Sequence, residues 1–220
     1  MVNEIRLRLA ASAASKEKRL AGLLDGRAPE AVLGEAVRQA QVAGSLALSG
    51  LSAADAGALT RAIDAVDPRA PLSVAALSAW HRAATGVSGF RSADAERPGG
   101  MPPAPPEFIA SRLAIFEQWM NAPSAAELTA SQQGALAMAR VVEVKPFDDG
   151  NGRVSRLAAS HLMVRAGARP PILTAADGPR LLQALQAAFQ LHTEPLAGLL
   201  EEAADRALDV MIREAERTTR

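Results

Sequence analysis

The stretch from residue 145 to residue 156 constrains the fold most, because turn-forming residues give way to helix-forming residues within it. It reads Lys-Pro-Phe-Asp-Asp-Gly-Asn-Gly-Arg-Val-Ser-Arg. Pro146 disfavours a helical conformation at Lys145, and residues 148–152 are all Asp, Gly or Asn, which favour turns. From Arg153 onward the apolar residues recur at helical spacing. The sequence therefore predicts a loop that ends at the N-terminus of a helix.

Such a loop and helix start can bind an anion. The first N–H groups of a helix lack intrahelical partners, the helix dipole is positive there, and the two glycines let a phosphate approach the backbone. Arg153 and Arg156 add positive charge, and Asp149 could hold a divalent cation that bridges phosphates. We interpret residues 149–156 as a nucleotide-phosphate site. The alternative is a tight turn before a capped helix, with both arginines paired to neighbouring acidic residues.

Composition excludes several other functions. The 24 basic and 24 acidic residues balance, which argues against a general binder of nucleic acid or of an anionic membrane. Cysteine is absent, which excludes disulfides, thiolate metal sites and a cysteine nucleophile. The three histidines, His81, His161 and His192, lack the spacing of a zinc site, and we expect the first two to pack within helices. No apolar run resembles a signal peptide or membrane span, so a cytoplasmic protein is predicted.

The composition predicts one all-α domain over residues 1–220. Aromatic residues make up 3% of the chain and tyrosine is absent, which favours packed helices over sheets. Residues 44–51 are mostly small and predict a break between helices, whereas residues 85–106 are rich in Gly and Pro and predict a loop or β-hairpin. The predicted helices cover residues 3–24, Pro29 to about Ala43, a helix after Ser52, Ser73 to about Ala84, a helix from Pro106, Thr129 to Val144, 152–166, a helix from Asp177, and Pro195 to about Glu216.

Residues 145–156 resemble the signature of the Fic family, HxFx(D/E)GNGRxxR, at every fixed position except the first, where Lys145 replaces histidine. The resemblance covers roughly residues 40–175, which leaves flanking helices in residues 1–43 and 176–220. It implies a Fic-fold helical bundle with a small β-hairpin flap on which a target protein docks. The segment that resembles this flap is Gly89, Phe90 and Arg91, followed by the prolines of residues 102–106.

The resemblance also implies an activity. Fic proteins typically transfer AMP from ATP to a hydroxyl side chain of a target protein, so the implied cofactor is Mg²⁺ with ATP and the implied partner is a protein segment. Asp149 would hold Mg²⁺, the N–H groups around Asn151 and Gly152 would bind phosphate, and Arg156 would contact the γ-phosphate. Phe147 would anchor the loop in the core. The implied nucleotide-binding residues are Asp149, Gly150, Asn151, Gly152, Arg153 and Arg156.

Lys145 occupies the position of the family's general base. A histidine with a pKa of about 6.5 is roughly three-quarters neutral at pH 7, whereas a lysine at about 10.4 is neutral in roughly one molecule per 2,500. The sequence therefore predicts nucleotide binding with weak or absent AMP transfer. Two alternatives stay open. One is a nucleotide-binding pseudoenzyme that acts as an interaction module, and the other is a transferase that uses a different phosphate-containing donor.

Residues 45–50 fit the spacing of the family's inhibitory pattern, (S/T)xxxE(G/N). Ser45 and Gly50 match its ends, and Ser49 stands at the position of the glutamate. In the family that glutamate pairs with the second signature arginine, which is Arg156 in this chain. A serine cannot make the charge-assisted pair that a carboxylate makes with arginine. The resemblance therefore implies that the inhibitory contact is missing.

Overall fold

A computed structural model describes residues 2–24, 30–96 and 102–218. Within these ranges the chain forms nine α-helices and no strand, which confirms the all-α prediction. None of the described helices has the length and hydropathy that a membrane span requires. The helices are α1 (Val2–Leu23), α2 (Glu30–Ser49), α3 (Ala56–Asp64), α4 (Val74–Thr85), α5 (Ile109–Met120), α6 (Ala130–Val144), α7 (Asn151–Arg165), α8 (Gly178–Ala188) and α9 (Glu194–Thr218).

Helices α6 and α7 form the centre of the bundle. One face of this pair packs against α3, α4 and α5, and the other packs against α8 and α9. The side chains of Val144, Phe147 and Val154, at the junction between the two helices, are fully buried. Helix α1 packs against α9 at the edge of the bundle. The loop that joins α6 to α7 is therefore fixed at both ends by core residues, and Phe147 anchors it as predicted.

Several helix starts follow directly from capping residues. Ser73 accepts a hydrogen bond from the backbone N–H of Ala76 and begins α4. Thr129 and Gln132 form a reciprocal capping box at the start of α6. The short side chain of Asp55 completes the predicted box with Ser52. These side chains satisfy backbone donors that would otherwise lack partners at the helix ends.

The prediction of a break at residues 44–51 was wrong. Helix α2 continues through this segment to Ser49 and ends where Gly50 adopts a φ of 63°. Gly44 is needed for close packing, because a Cβ atom at this position would lie 1.7 Å from the carbonyl oxygen of Leu173. A glycine that lets two segments approach can sit inside a helix at a modest cost in stability.

Gly44→Ala is expected to destabilise the fold by about 2 kcal/mol or more, because the backbone at Leu173 must move to admit the methyl group. Gly34→Ala in the same helix is the matched control. Its added Cβ would meet nothing within 4 Å, and alanine favours the helix by about 1 kcal/mol. Urea unfolding of both variants measures the difference, and equal stabilities would contradict the packing role of Gly44.

The predicted β-hairpin flap is not present in the described residues of segment 86–105. Residues 97–101 lie outside the described ranges, and the residues on either side form bends and irregular backbone. Four prolines at positions 102, 103, 105 and 106 lack the N–H groups that a β-ladder needs. The backbone N–H of Arg91 instead donates to the carbonyl oxygen of Pro146, at 2.9 Å. The segment is therefore attached to the α6–α7 loop.

Candidate functional site

The α6–α7 loop begins with a left-handed residue. Lys145 has a φ of 48° and ends α6, and Pro146 follows it. The Lys145 Nζ atom donates a hydrogen bond to the carbonyl oxygen of Glu96, at 2.7 Å. The side chain at the first signature position thus contacts the segment between α4 and α5. Its amine acts as a donor there.

Internal hydrogen bonds hold the loop in shape. The Asn151 side chain accepts from the backbone N–H of Phe147 at 3.0 Å and donates to the carbonyl oxygen of the same residue at 2.7 Å. The ring of His81 stacks on Phe147 with a centroid distance of 3.7 Å. His81 Nε2 lies 3.0 Å from the carbonyl oxygen of Asp149. Because a carbonyl oxygen only accepts, Nε2 carries the proton.

His81 therefore positions the loop from α4, although the sequence predicted only a packing role for it. No local spacing signals this contact, since 68 positions separate His81 from Asp149.

Arg91 lies beneath the loop. Its side chain is 3% exposed, with Nε donating to the carbonyl oxygen of Lys145 and Nη1 donating to that of Ala93, both at 2.7 Å. The guanidinium thereby satisfies the carbonyl oxygen of Lys145 at the end of α6, where an intrahelical partner is missing. Within the predicted flap residues, Gly89 is exposed and Phe90 is partly buried against Phe147. Arg91 thus supports the loop from below.

The start of α7 places the N-terminal N–H groups of a helix beside an exposed ion pair. Gly150 occupies the N-cap position with a φ of 80°, and a Cβ there would lie 2.8 Å from Thr85 Cγ2. Arg153 Nη1 donates to the carbonyl oxygen of Ala84 at 2.9 Å, and Nη2 pairs with Asp149. The Asp149 side chain is 87% exposed. This carboxylate is therefore held by one contact and stays accessible to a cation.

Arg156 reaches from α7 to α2. Its Nε atom donates to Ser45 Oγ at 2.9 Å, and Nη2 donates to the carbonyl oxygen of Ser45 at 3.1 Å and to Ser49 Oγ at 2.6 Å. All three acceptors are uncharged. Burial, together with the nearby charge of Arg153, lowers the pKa of the Arg156 guanidinium to about 10. The structure thus brings Arg156 together with Ser45 and Ser49, and its charge has no carboxylate among these partners.

A cavity of about 470 Å³ lies beside this loop. It is bounded by the start of α3, the segment after α4, and the side chains of Asp148, Asp149 and Arg153. Within the described ranges no group of three or more His, Asp or Glu residues could hold a metal ion by itself. Magnesium is commonly held by one or two carboxylates together with substrate phosphates. The exposed carboxylate of Asp149 fits that mode.

Two buried histidines make stability depend on pH. His81 and His161 are 2% and 1% exposed, and burial lowers the pKa of both. The unfolded chain takes up protons near its ordinary histidine pKa of about 6.5, whereas the folded chain resists protonation. The free energy of unfolding should therefore fall below about pH 6.5, by up to about 1.4 kcal/mol per pH unit for each histidine.

Urea unfolding at pH 7.5 and pH 5.5 measures this loss. His192→Gln is the control variant, because the His192 side chain is exposed. Equal stability at the two pH values would contradict the burial of the other two histidines.

A sequence profile identifies the family of the central part of this chain. Residues 71–163 match the sequence profile of the Fic/DOC family. Over 123 residues the chain is 30% identical to a protein named protein adenylyltransferase Fic from Culex quinquefasciatus. The aligned region covers 56% of this chain and 24% of that relative. The chain thus spans about a quarter of the length of this curated relative. Residues 71–163 belong to the Fic/DOC family, and the resemblance found in the signature is confirmed.

Solved structures support the same fold. A Fic-domain-containing signalling protein from Bacteroides thetaiotaomicron superposes with a TM-score of 0.78 and 18% identity, over 94% of this chain and 98% of that one. IbpAFic2, solved in complex with adenylylated Cdc42, superposes with a TM-score of 0.61 and 15% identity, over 93% of this chain and 76% of that one. At these identities the comparisons show the fold alone.

Proposed function

We propose that this chain binds ATP with Mg²⁺ at the N-terminus of α7 and resembles AMP transferases, with activity weakened or lost because Lys145 replaces the general base. The observation that carries the binding proposal is the grouping of Asp149, Arg153 and Arg156 around the start of one helix. The N–H end of a helix and two arginines would provide donors and positive charge for phosphate oxygens.

Each charged side chain has a distinct part in this proposal. Asp149 would hold Mg²⁺, which when bound neutralises charge on the phosphates. Arg153 would exchange its contact with Asp149 for a phosphate oxygen while Ala84 keeps its other nitrogen in place. Arg156 would exchange its uncharged serine acceptors for the terminal phosphate. The exchange at Arg156 replaces uncharged acceptors with charge-assisted hydrogen bonds, which are the stronger kind, whereas the exchange at Arg153 replaces one charged acceptor with another.

The proposed weakness in catalysis rests on Lys145. A general base must accept a proton from the attacking hydroxyl, and a lysine ammonium has three donors and no acceptor. The contact from Lys145 Nζ to the carbonyl oxygen of Glu96 is a donor contact of this kind. Phosphates nearby would favour the charged amine further. Lys145 then serves as a phosphate-binding cation.

The proposed partner is a segment of a target protein. IbpAFic2 was solved with adenylylated Cdc42 bound, and this chain shares its fold. Gly89 is exposed next to the loop, and its backbone could pair with an extended segment, as in recognition by strand addition. Arg91 would support this surface from beneath. If Lys145 prevents all transfer, the same surface supports the second candidate, a nucleotide-regulated interaction module.

Calorimetry with ATP, ADP, GTP and CDP-choline, each with and without Mg²⁺, tests the proposal. ATP should bind, and Mg²⁺ should tighten binding. Asp149→Asn should remove the Mg²⁺ effect, whereas Asp148→Asn, at the exposed neighbouring position, should retain it. Failure of all four ligands to bind would overturn the proposal. Tighter binding of CDP-choline than of ATP would favour the transferase with a different donor.

Ser49→Glu should restore a carboxylate next to Arg156. The serine oxygen already lies 2.6 Å from Nη2, so a glutamate on the same helix turn can form a charge-assisted pair with the guanidinium. We expect ATP affinity to fall about 10-fold or more, with a rise in melting temperature. Ser49→Gln is the uncharged control and should change ATP affinity less. Unchanged affinity in the glutamate variant would contradict the contact between Arg156 and the terminal phosphate.

A further inference from the structure

A second cavity lies between α1, α9, the start of α6 and the residues that follow α7. Its volume is about 660 Å³, and small-molecule sites commonly measure about 300–1,000 Å³. The C-terminal half of α1 packs closely on the bundle, with Leu20 1% exposed. The N-terminal half lines the cavity instead, and Leu7 is 72% exposed there. None of the described lining residues belongs to the signature at residues 145–156.

Apolar side chains form most of the cavity walls. Helix α1 contributes Leu9 and Ala13, α9 contributes Ala204 and Leu208, and Ala168 lines the cavity from the loop after α7. An apolar surface of this kind gains free energy when a ligand removes it from water. The walls therefore favour a ligand with an apolar body.

Polar side chains lie together where the start of α6 meets α9. Ser131 Oγ donates to Glu201 Oε1 at 2.7 Å, and Thr129 Oγ1 lies 3.0 Å from Ser131 Oγ. Ser131 is buried, whereas Glu201 is half-buried and lines the cavity. A carboxylate can accept several hydrogen bonds through its two oxygens. Glu201 is therefore held in place by one hydrogen bond and can accept others from a ligand.

The charge of Glu201 distinguishes it from the other carboxylates that line the cavity. Glu17 accepts two hydrogen bonds from Arg169, at 2.8 and 2.9 Å, and Asp205 pairs with Lys16 at 2.6 Å. Within the described ranges, Glu201 has no cationic partner and bonds to a hydroxyl group alone. A negative charge beside apolar walls attracts a cation, since a lower local dielectric strengthens the interaction.

We propose that this cavity binds a small apolar amine. The ammonium group pairs with Glu201, and the apolar body lies against Ala13, Ala204 and Leu208. An ammonium has three donors and no acceptor, so it matches a wall that offers a carboxylate and the hydroxyl oxygen of Thr129. Its binding does not require the nucleotide site, because the signature loop takes no part in this lining.

The test is calorimetry at pH 7 with 4-phenylbutylamine as the probe, without nucleotide. We expect saturable binding of this amine and binding of the uncharged 4-phenylbutan-1-ol that is weaker by about tenfold or more. The anionic 4-phenylbutyrate should not bind. Equal affinities for the amine and the alcohol, or no binding of the amine at millimolar concentration, would overturn the proposal and leave the cavity as a water-filled groove.

Glu201→Gln should weaken amine binding by about tenfold or more and leave the affinity for the alcohol unchanged. Glu202→Gln is the matched control, because Glu202 pairs with Arg180 at 2.8 Å and does not line the described cavity. An unchanged amine affinity in Glu201→Gln would refute the ion pair.

Ala13→Phe narrows the cavity from α1 and should abolish binding of both the amine and the alcohol, with a folded far-ultraviolet spectrum. Retained binding in the folded variant would refute this location. If Ala13→Phe does not fold, the comparison of Glu201→Gln with Glu202→Gln decides. Because nucleotide is left out, a failure of ATP binding leaves these outcomes readable.

Discussion

Replacing Lys145 by histidine is expected to raise AMP transfer from ATP to protein hydroxyls by about 10²-fold or more, which is the usual contribution of a general base. Histidine should be tolerated at this position, because its φ of 48° lies in the left-handed region where histidine is more common than most residues. The measurement is radiolabel transfer from α-labelled ATP in a cell lysate, with native protein and variant at equal concentration.

Lys145→Gln is the control for charge. It removes the amine but supplies no base, so labelling should stay at the native level. A similar gain in both variants would show that the lysine charge, and not the missing base, limits the reaction. No gain with histidine, in a variant that still binds ATP, would place the defect elsewhere or indicate another donor.

Arg156→Met should have the second-largest effect and should separate binding from stability. Loss of charge-assisted hydrogen bonds to the terminal phosphate is expected to weaken ATP binding about 10- to 100-fold. The melting temperature should stay the same or rise, because methionine removes a partly buried charge that has only uncharged acceptors in Ser45 and Ser49. Calorimetry and thermal unfolding on the same preparation measure both quantities.

Arg140→Met serves as the comparison. Arg140 lies on α6, pairs with Glu143 and is 40% exposed, so its loss should leave ATP affinity unchanged. If Arg156→Met binds ATP as tightly as the native protein, Arg156 does not contact the nucleotide. A large loss of stability in that variant would instead assign Arg156 a mainly structural role between α2 and α7.

Local signals predicted most of the fold. Ser73 and Thr129 cap the helices that follow them because their hydroxyl groups satisfy nearby N–H groups, a relation contained within four residues. The sequence predicted a break at Gly44, but a glycine is needed there because the carbonyl oxygen of Leu173 packs closely against it. That contact comes from a distant part of the chain. A glycine that ends a helix and one that admits a neighbouring segment look alike in a sequence.

The candidate site also has one part that the sequence predicted and one part that it did not. The order of Asp149, Arg153 and Arg156 in the signature was enough to predict that they surround one helix start. The support beneath them was not predictable, because His81 and Arg91 reach the loop from other parts of the chain. The sequence alone does not distinguish an exposed arginine on a flap from a buried arginine that donates to backbone carbonyl groups. Only the packed structure distinguishes them.

The most direct test of the account is a titration of ATP with Mg²⁺ into the native chain and Lys145→His, side by side. We predict that both bind one nucleotide and that the native chain binds it at least as tightly, because Lys145 adds a positive charge near the phosphates while the other proposed phosphate contacts are the same in both. Absence of binding to the native chain at millimolar ATP would contradict the account, even if the histidine variant were active.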